Sequence, residues 1–390
     1  MKKYIGDRKF YLMVLSVAVP IMIQNGITNF VSLLDNIMVG QIGTEQMSGV
    51  AIVNQLILVF NLCIFGGVSG AGIFTAQYYG CGDQKGIRDT FRMKLWLSLF
   101  ITAAGLLVFA CFGTQLISLY LHEAGDAGDL EATLLYAHKY LRVMMVELAP
   151  FAIIQVYSGT LRETGETMLP MKAGIVAVFV NLILNYILIF GKFGMPALGV
   201  EGAAIATTVS RFVELAIVAG WTHRNKERNG FIAGVYRSMK IPGGLVGKVL
   251  IMGTPLMVNE ALWSSGQAML MQCYSIRGLS VVAAFNISST ISNVFNVVFI
   301  ALGNSVGIII GQLLGAGKME EAKDTVRKLM FFSVGGCAAI GICLSIFAPL
   351  FPMIYNTTEE IRGLAARFII MSSACMPIYA FVNVAYFTLR

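Results

Sequence analysis

Two carboxylates stand where the sequence is otherwise apolar. Asp35 lies near the end of the first long hydrophobic run and Glu260 lies inside the seventh. Gln24, Thr28, Ser32 and Asp35 follow one another at spacings that place them on one helical face, with Asn25, Asn29 and Asn36 in a line beside it. A carboxylate at membrane depth is costly, so it is expected to face a bundle interior or a watery cavity and to mark an ion or substrate path. The alternative is plain solvation at the outer water interface. Ile37, Met38 and Val39 continue the apolar pattern past Asp35 and weigh against it.

Glu260 shares a face with Ser264 and Gln267, next to Asn259 and one and a half turns after Pro255. It is either a glutamate hydrogen-bonded for packing or a protonatable or cation-binding group facing a substrate cavity. Gln24, Gln267 and Asn286 are the other candidates for lining that cavity or a second coupling site. Asn286 belongs to a polar face with Ser289, Asn293 and Asn296, read as cavity lining or as glue between helices. Asn181 and Asn185 stand one helical turn apart in the fifth run, and Thr207 in the sixth. Amide carbonyls are hard oxygen ligands suited to a small cation, so Asp35, Asn181 and Asn185 form a candidate Na+ set. Taken alone, Asn and Thr in such runs are more simply explained as hydrogen bonds between helices.

Other chemistries find little support. There is no GxxxxGK[ST] stretch and so no P-loop ATPase in this chain. Only three His are present, and the seven Cys show neither a CxxC pair nor metal-ligand spacing. We find no paired acids and no His–acid pair within the apolar runs, which argues against a membrane-embedded transferase or hydrolase. The expected protein is not an enzyme and holds no cofactor beyond a coupling ion.

These residues must be positioned by helices in a bilayer. Of 390 residues, 57% are hydrophobic and 13% charged, against roughly 45–50% and 25% in soluble proteins. Ten runs are long enough to span: 10–40, 48–79, 94–120, 134–161, 169–191, 199–221, 247–275, 281–313, 328–353 and 364–389. The first is too long for a signal peptide and lacks a cleavage site. Most Lys and Arg fall in alternate connections: Lys2 to Lys9, Lys85 to Lys94, Arg162 to Lys172, Arg224 to Lys248 and Lys318 to Lys328. Positive charge stays cytoplasmic, so the N-terminus is expected inside a multi-pass protein of the plasma (inner) membrane. The formal charge of +7 is sorted by side and says nothing for nucleic acid. The lipid bilayer is the expected surrounding, and no obligate protein partner is evident.

The chain repeats on either side of a polar stretch. Val19-Pro20-Ile-Met-Ile-Gln24-Asn25 echoes Thr254-Pro255-Leu-Met-Val-Asn259-Glu260, and Gln77-Tyr-Tyr-Gly80-Cys-Gly82 echoes Gln312-Leu-Leu-Gly315-Ala-Gly317. Thr160-Leu-Arg162 echoes Thr388-Leu-Arg390. Both copies start on the same side, as parallel repeats do. The fold expected is an all-α membrane protein of two parallel helical-bundle repeats. Its divisions are an N-terminal six-helix lobe over 1–221, a cytoplasmic linker over 222–246 and a C-terminal lobe with four helices over 247–390. The second copy stops in mid-motif, so two further helices are expected to be missing from an original twelve.

Taken together, these residues resemble the multidrug and toxic compound extrusion (MATE) family over essentially the whole chain. The most specific pieces are Leu34-Asp35-Asn-Ile-Met-Val-Gly40-Gln-Ile-Gly43, the two Gln-x-x-Gly-x-Gly turns, Leu161-Arg162-Glu-Thr-Gly165 through Pro170, and Gly199-Val-Glu-Gly202 through Thr207. The resemblance implies two six-helix lobes forming a V, and export of cationic or amphipathic drugs in exchange for Na+ or protons. It implies that Asp35 takes the coupling ion with Asn181, Asn185 and Thr207 around it, and that Glu260 matches a span-seven acid of several members. Some members carry an acid where Asn185 stands, or one in span ten; this chain has neither. A flippase for a lipid-linked saccharide is the alternative within the same kind of helical repeat. It would need Arg and Lys around its cavity for pyrophosphate, and Arg211 is the only clear mid-span base.

Overall fold

With no water to satisfy peptide groups in hydrocarbon, the chain must pair them within each segment, and helices do this. The computed structural model describes residues 6–121, 130–275, 277, 279–354 and 358–389. Among these are ten α-helices: α1 (Arg8–Gly40), α2 (Thr44–Gly80), α3 (Gln84–Leu121), α4 (Leu130–Glu163), α5 (Met168–Phe190), α6 (Val200–Arg224), α7 (Gly243–Ser275), α8 (Leu279–Gly315), α9 (Met319–Phe347) and α10 (Glu359–Leu389). Short 3-10 turns lie at Gly230–Ile232, Val235–Arg237 and Phe351–Ile354. Nine of the helices are long and apolar enough to cross a membrane, and α7 contributes a shorter apolar stretch, Gly243–Leu256. The all-α membrane architecture expected from the sequence is the one observed.

The boundaries differ from the apolar runs at three places. Helices α3 and α9 start well before their hydrophobic stretches, so Lys85–Lys94 and Lys323–Lys328 are helical residues and not turns. Charged first turns can be helical when charges pair along the helix, as Lys323 does with Glu320 at 2.7 Å and Lys318 with Glu321 at 3.0 Å. Conversely α9 ends at Phe347 although the sequence stays apolar to residue 353. Pro349 and Pro352 lack the N–H that would continue the ladder, and proline disfavours helix in the residue before it.

By its contacts the chain forms two compact units, one of Met1–Gly26, Ala76–Gly82 and Val258–Arg390, the other of Ile27–Thr75 and Asp83–Met257. These are groupings by contact, whereas the lobes drawn on the sequence follow the repeat. In the first unit, Val14 and Ala18 of α1 are buried with Leu302, Val306, Ile309 and Ile310 of α8, Leu329 of α9 and Val384 of α10. A second cluster joins α8, α9 and α10 around Ile287, Leu344, Ile369 and Met376.

The repeated Gln-x-x-Gly turns cross each other in this unit. A Cβ on Gly80 would overlap the backbone carbonyl of Gln312, and a Cβ on Gly315 would overlap the backbone carbonyl of Gln77. Each glycine therefore lies against the glutamine of the other copy. Such reciprocity is what a two-fold relation between copies produces.

The second unit holds α3 to α6 and the stretch read as a linker. That stretch is folded against α3. Arg88 donates from Nε to the Phe231 carbonyl at 3.2 Å, Arg92 donates from Nε to that of Val235 at 2.8 Å, and Trp96 donates from Nε1 to that of Met239 at 3.2 Å. The three donors stand four residues apart and so share one face of α3. Phe231, Ile232 and Val235 are buried, with the Phe231 ring 5.6 Å from that of Phe91. The close α5–α6 pair has its own device. Gly202 lies so near the Leu188 carbonyl that a Cβ would sit 2.6 Å from its oxygen.

Substituting Gly315→Ala should lower the thermal stability of the detergent-solubilised protein by about 1–3 kcal/mol, the usual cost of overpacking. Gly335→Ala, on α9 with nothing within 4 Å of the new Cβ, should leave it unchanged or raise it slightly. Melting curves of the two variants side by side check the reciprocal crossing.

Candidate functional site

The close α5–α6 contact at Gly202 sets which side chains meet farther along the pair. Asn181 donates from Nδ2 to Thr207 Oγ1 at 3.2 Å, and Thr207 donates to the Ala203 carbonyl at 3.1 Å. Asn185, one turn along α5, donates from the same Nδ2 to Asn181 Oδ1 at 3.1 Å and to Asp35 Oδ1 at 2.6 Å. Asp35, Asn181, Asn185 and Thr207 therefore form one hydrogen-bonded chain across α1, α5 and α6. Asn181 is 5% exposed and Asn185 1%; Asp35 is half-buried.

The short bond to the carboxylate is charge-assisted, of the stronger kind. Its geometry leaves one group over. With its nitrogen donating twice, Asn185 presents Oδ1, a buried oxygen that has no partner among the described residues. A buried amide oxygen without a donor is costly and calls for an explanation. Together with the carboxylate, Asn181 Oδ1 and Thr207 Oγ1, it makes a set of hard oxygens on three helices. Such a set fits a small cation, and the carboxylate alone fits a proton.

One turn past Asp35 the surface becomes apolar. A groove of about 500 Å³ is lined by Met38 of α1 and Gln41 just past its end, by Ile183, Tyr186 and Phe190 of α5, and by Phe193.

The second set of candidates is placed less fully. The side chains of Glu260, Ser264 and Asn286, and also of Ser32 and Asn36, lie outside the described residues. Gln24 is half-buried on α1, and Gln267 is exposed on α7. On α8, Asn296 donates to Asn293 Oδ1 of its own helix at 3.4 Å, so this pair is not a bond between helices.

The sequence reading also missed a group of charges. Arg211, on α6 one turn beyond Thr207, contacts Glu147 of α4 at 3.3 Å and Glu214 at 2.8 Å. The statement that the spans hold no paired acids is therefore corrected: two acids flank one guanidinium. Lys94, buried on α3, pairs with Glu163 and donates to Thr160 Oγ1 at 3.2 Å. Tyr140 of α4 donates from its hydroxyl to Asn54 Oδ1 of α2 at 3.2 Å. The signal for Glu147 and Glu214 was present in the sequence, since both are acids in the middle of apolar runs.

The MatE family model matches this chain over residues 20–187 and 255–390. The chain belongs to the MatE family. The two matched stretches open at Pro20 and Pro255, the prolines that stand at equivalent places in the two sequence repeats. The probable multidrug resistance protein NorM of Thermotoga maritima is 26% identical over 350 residues, 89% of this chain and 72% of that protein. A protein named as an FAD transporter in Shewanella oneidensis is 26% identical over 334 residues, 85% of this chain and 71% of that one. An outward-facing structure of a multidrug resistance MATE family transporter superposes with a TM-score of 0.83 over 100% of this chain and 86% of that chain, at 19% identity. The fold is thus that of the MATE transporters, which are multi-pass membrane proteins.

Thr207→Val keeps the shape of the side chain but removes the acceptor for Asn181. A buried amide left without its partner costs about 1–3 kcal/mol. Thr207→Val should lower stability by that amount in a reversible detergent unfolding titration, and Thr207→Ser should restore it. Equal midpoints for all three proteins would contradict the hydrogen-bonded chain.

Proposed function

We propose that this chain is a secondary active exporter of the plasma membrane, N-terminus inside, that exchanges a cationic or amphipathic small molecule for a proton or Na+. The observation that carries this reading is the meeting of Asp35 with Asn185, whose buried carbonyl oxygen is left over. A lone carboxylate held by an amide nitrogen can take a proton. With the oxygens of Asn185, Asn181 and Thr207 it can take Na+ instead. The apolar, partly aromatic groove beginning one turn from Asp35 suits the body of an amphipathic ion.

The cycle we infer is alternating access by two repeat lobes, 1–221 and 247–390, joined through 222–246. Ion binding at Asp35 removes its negative charge and with it the attraction for a cationic substrate. Helix α1 then bends near Pro20, where the missing N–H weakens the ladder, and the substrate leaves outward. Glu260 attracts the cationic substrate or serves as a second coupling site. No covalent bond is made or broken, so no catalytic group is required.

The saccharide-lipid flippase is not favoured. It needs free guanidinium or ammonium groups for a pyrophosphate. Arg211 is engaged by two carboxylates and Lys94 by Glu163.

Cells expressing the protein should export ethidium, and Asp35→Asn at equal expression should abolish the export. Repeating the assay with and without external Na+ decides which ion drives it. Efflux that survives Asp35→Asn would remove Asp35 from the coupling role.

A further inference from the structure

The carboxylates around Arg211 are not equally satisfied. Glu214, 2% exposed, receives the Arg211 Nη1 donor at 2.8 Å, and Arg162 stands within electrostatic reach of it. Glu147, 4% exposed, receives among the described residues only the longer bond from Arg211 Nε to Oε1, at 3.3 Å. Its other oxygen, Oε2, is fully buried and has no partner among the described residues. The guanidinium also lies over the Phe151 ring, 5.8 Å from its centre, so it is held by α4 and α6 together.

Among the described residues, the charged and titratable groups within electrostatic reach of Glu147 are Arg211 and Glu214 from α6 and Tyr140 from its own helix, with Tyr140 tied to Asn54 of α2. One guanidinium thus serves two acids in direct contact, and it stands one turn beyond Thr207, the α6 end of the hydrogen-bonded chain that reaches Asp35. A buried carboxylate with a bare oxygen and a second acid nearby is the member whose charge is least compensated, and neutralisation is the ordinary relief. The relief could be a metal cation or a proton. A metal cation would need several more oxygens, and it would be placed beside a guanidinium that repels it. A proton needs neither.

We propose that Glu147 is a second proton-binding site, separate from Asp35 and linked to it along α6, where Arg211 stands one turn beyond the Thr207 of the hydrogen-bonded chain that holds Asp35. Binding a proton at Glu147 leaves the guanidinium of Arg211 paired with Glu214 alone. The site itself stands on the burial and contacts of Glu147; its part in transport rests on the ion-exchange reading above.

The test is infrared difference spectroscopy of the purified protein in lipid nanodiscs, between acidic and alkaline buffer. This reads protonated carboxyl groups directly and needs no transport, so its failure is distinct from a failure of the efflux assay. The wild type should show a carboxylic-acid carbonyl band that is lost in Glu147→Gln and kept in Asp35→Asn. Glutamine retains an acceptor for Arg211, so this variant is expected to fold. Should it not, Glu147→Asp should move the same band without removing it. A spectrum unchanged by either substitution, or a wild type without any such band, overturns the proposal.

Discussion

A carboxylate inside a helix bundle in lipid must be met by something, and among the described residues Asp35 is met by an amide nitrogen and not by a contacting cation. That choice shapes the unit around it. An ion pair in hydrocarbon would neutralise the acid permanently, whereas one N–H to Oδ1 holds it in place and leaves its charge to be cancelled by whatever binds. The amide that does this must itself be held. Asn185 is fixed by Asn181, Asn181 by Thr207, and Thr207 by its own backbone. The chain of bonds exists only because α5 and α6 approach closely, which Gly202 permits against the Leu188 carbonyl.

The same economy of partners recurs beyond Asp35. Where the protein buries full charges it pairs them, as in Lys94 with Glu163 and Arg211 with Glu147 and Glu214. Two of the several buried oxygens left without a partner among the described residues, Asn185 Oδ1 and Glu147 Oε2, lie on residues that contact a carboxylate or a guanidinium. Buried polar groups are costly when unpaired. At these two, an added proton or ion would supply the missing partner next to a charge.

The helices were legible in the sequence because hydrocarbon imposes a length and a composition that few other structures share. The Asn181–Asn185 face followed from helical spacing alone, and the tie to Asp35 and Thr207 came from likeness to a family. Other features left a weaker trace. The reciprocal packing of Gly80 and Gly315 is invisible in a repeat read as two separate motifs. The folding of 222–246 onto α3 depends on three buried apolar residues and on side chains that grip backbone carbonyls, neither of which forms a periodic pattern. Pro349 and Pro352 end α9 within an apolar run, where hydropathy outweighed a local rule. Glu147 and Glu214 were overlooked because their runs were read for hydrophobicity and not for the acids within them.

The central claim is that substrate and coupling ion compete through the charge of Asp35. The most direct measurement is equilibrium binding of ethidium to the purified protein, followed by fluorescence while proton and Na+ concentrations are varied separately. The account predicts that the dissociation constant for the dye rises with one of the two ions in the wild type, and that this dependence disappears in Asp35→Asn. Dye binding by the wild type that is indifferent to both ions would contradict it.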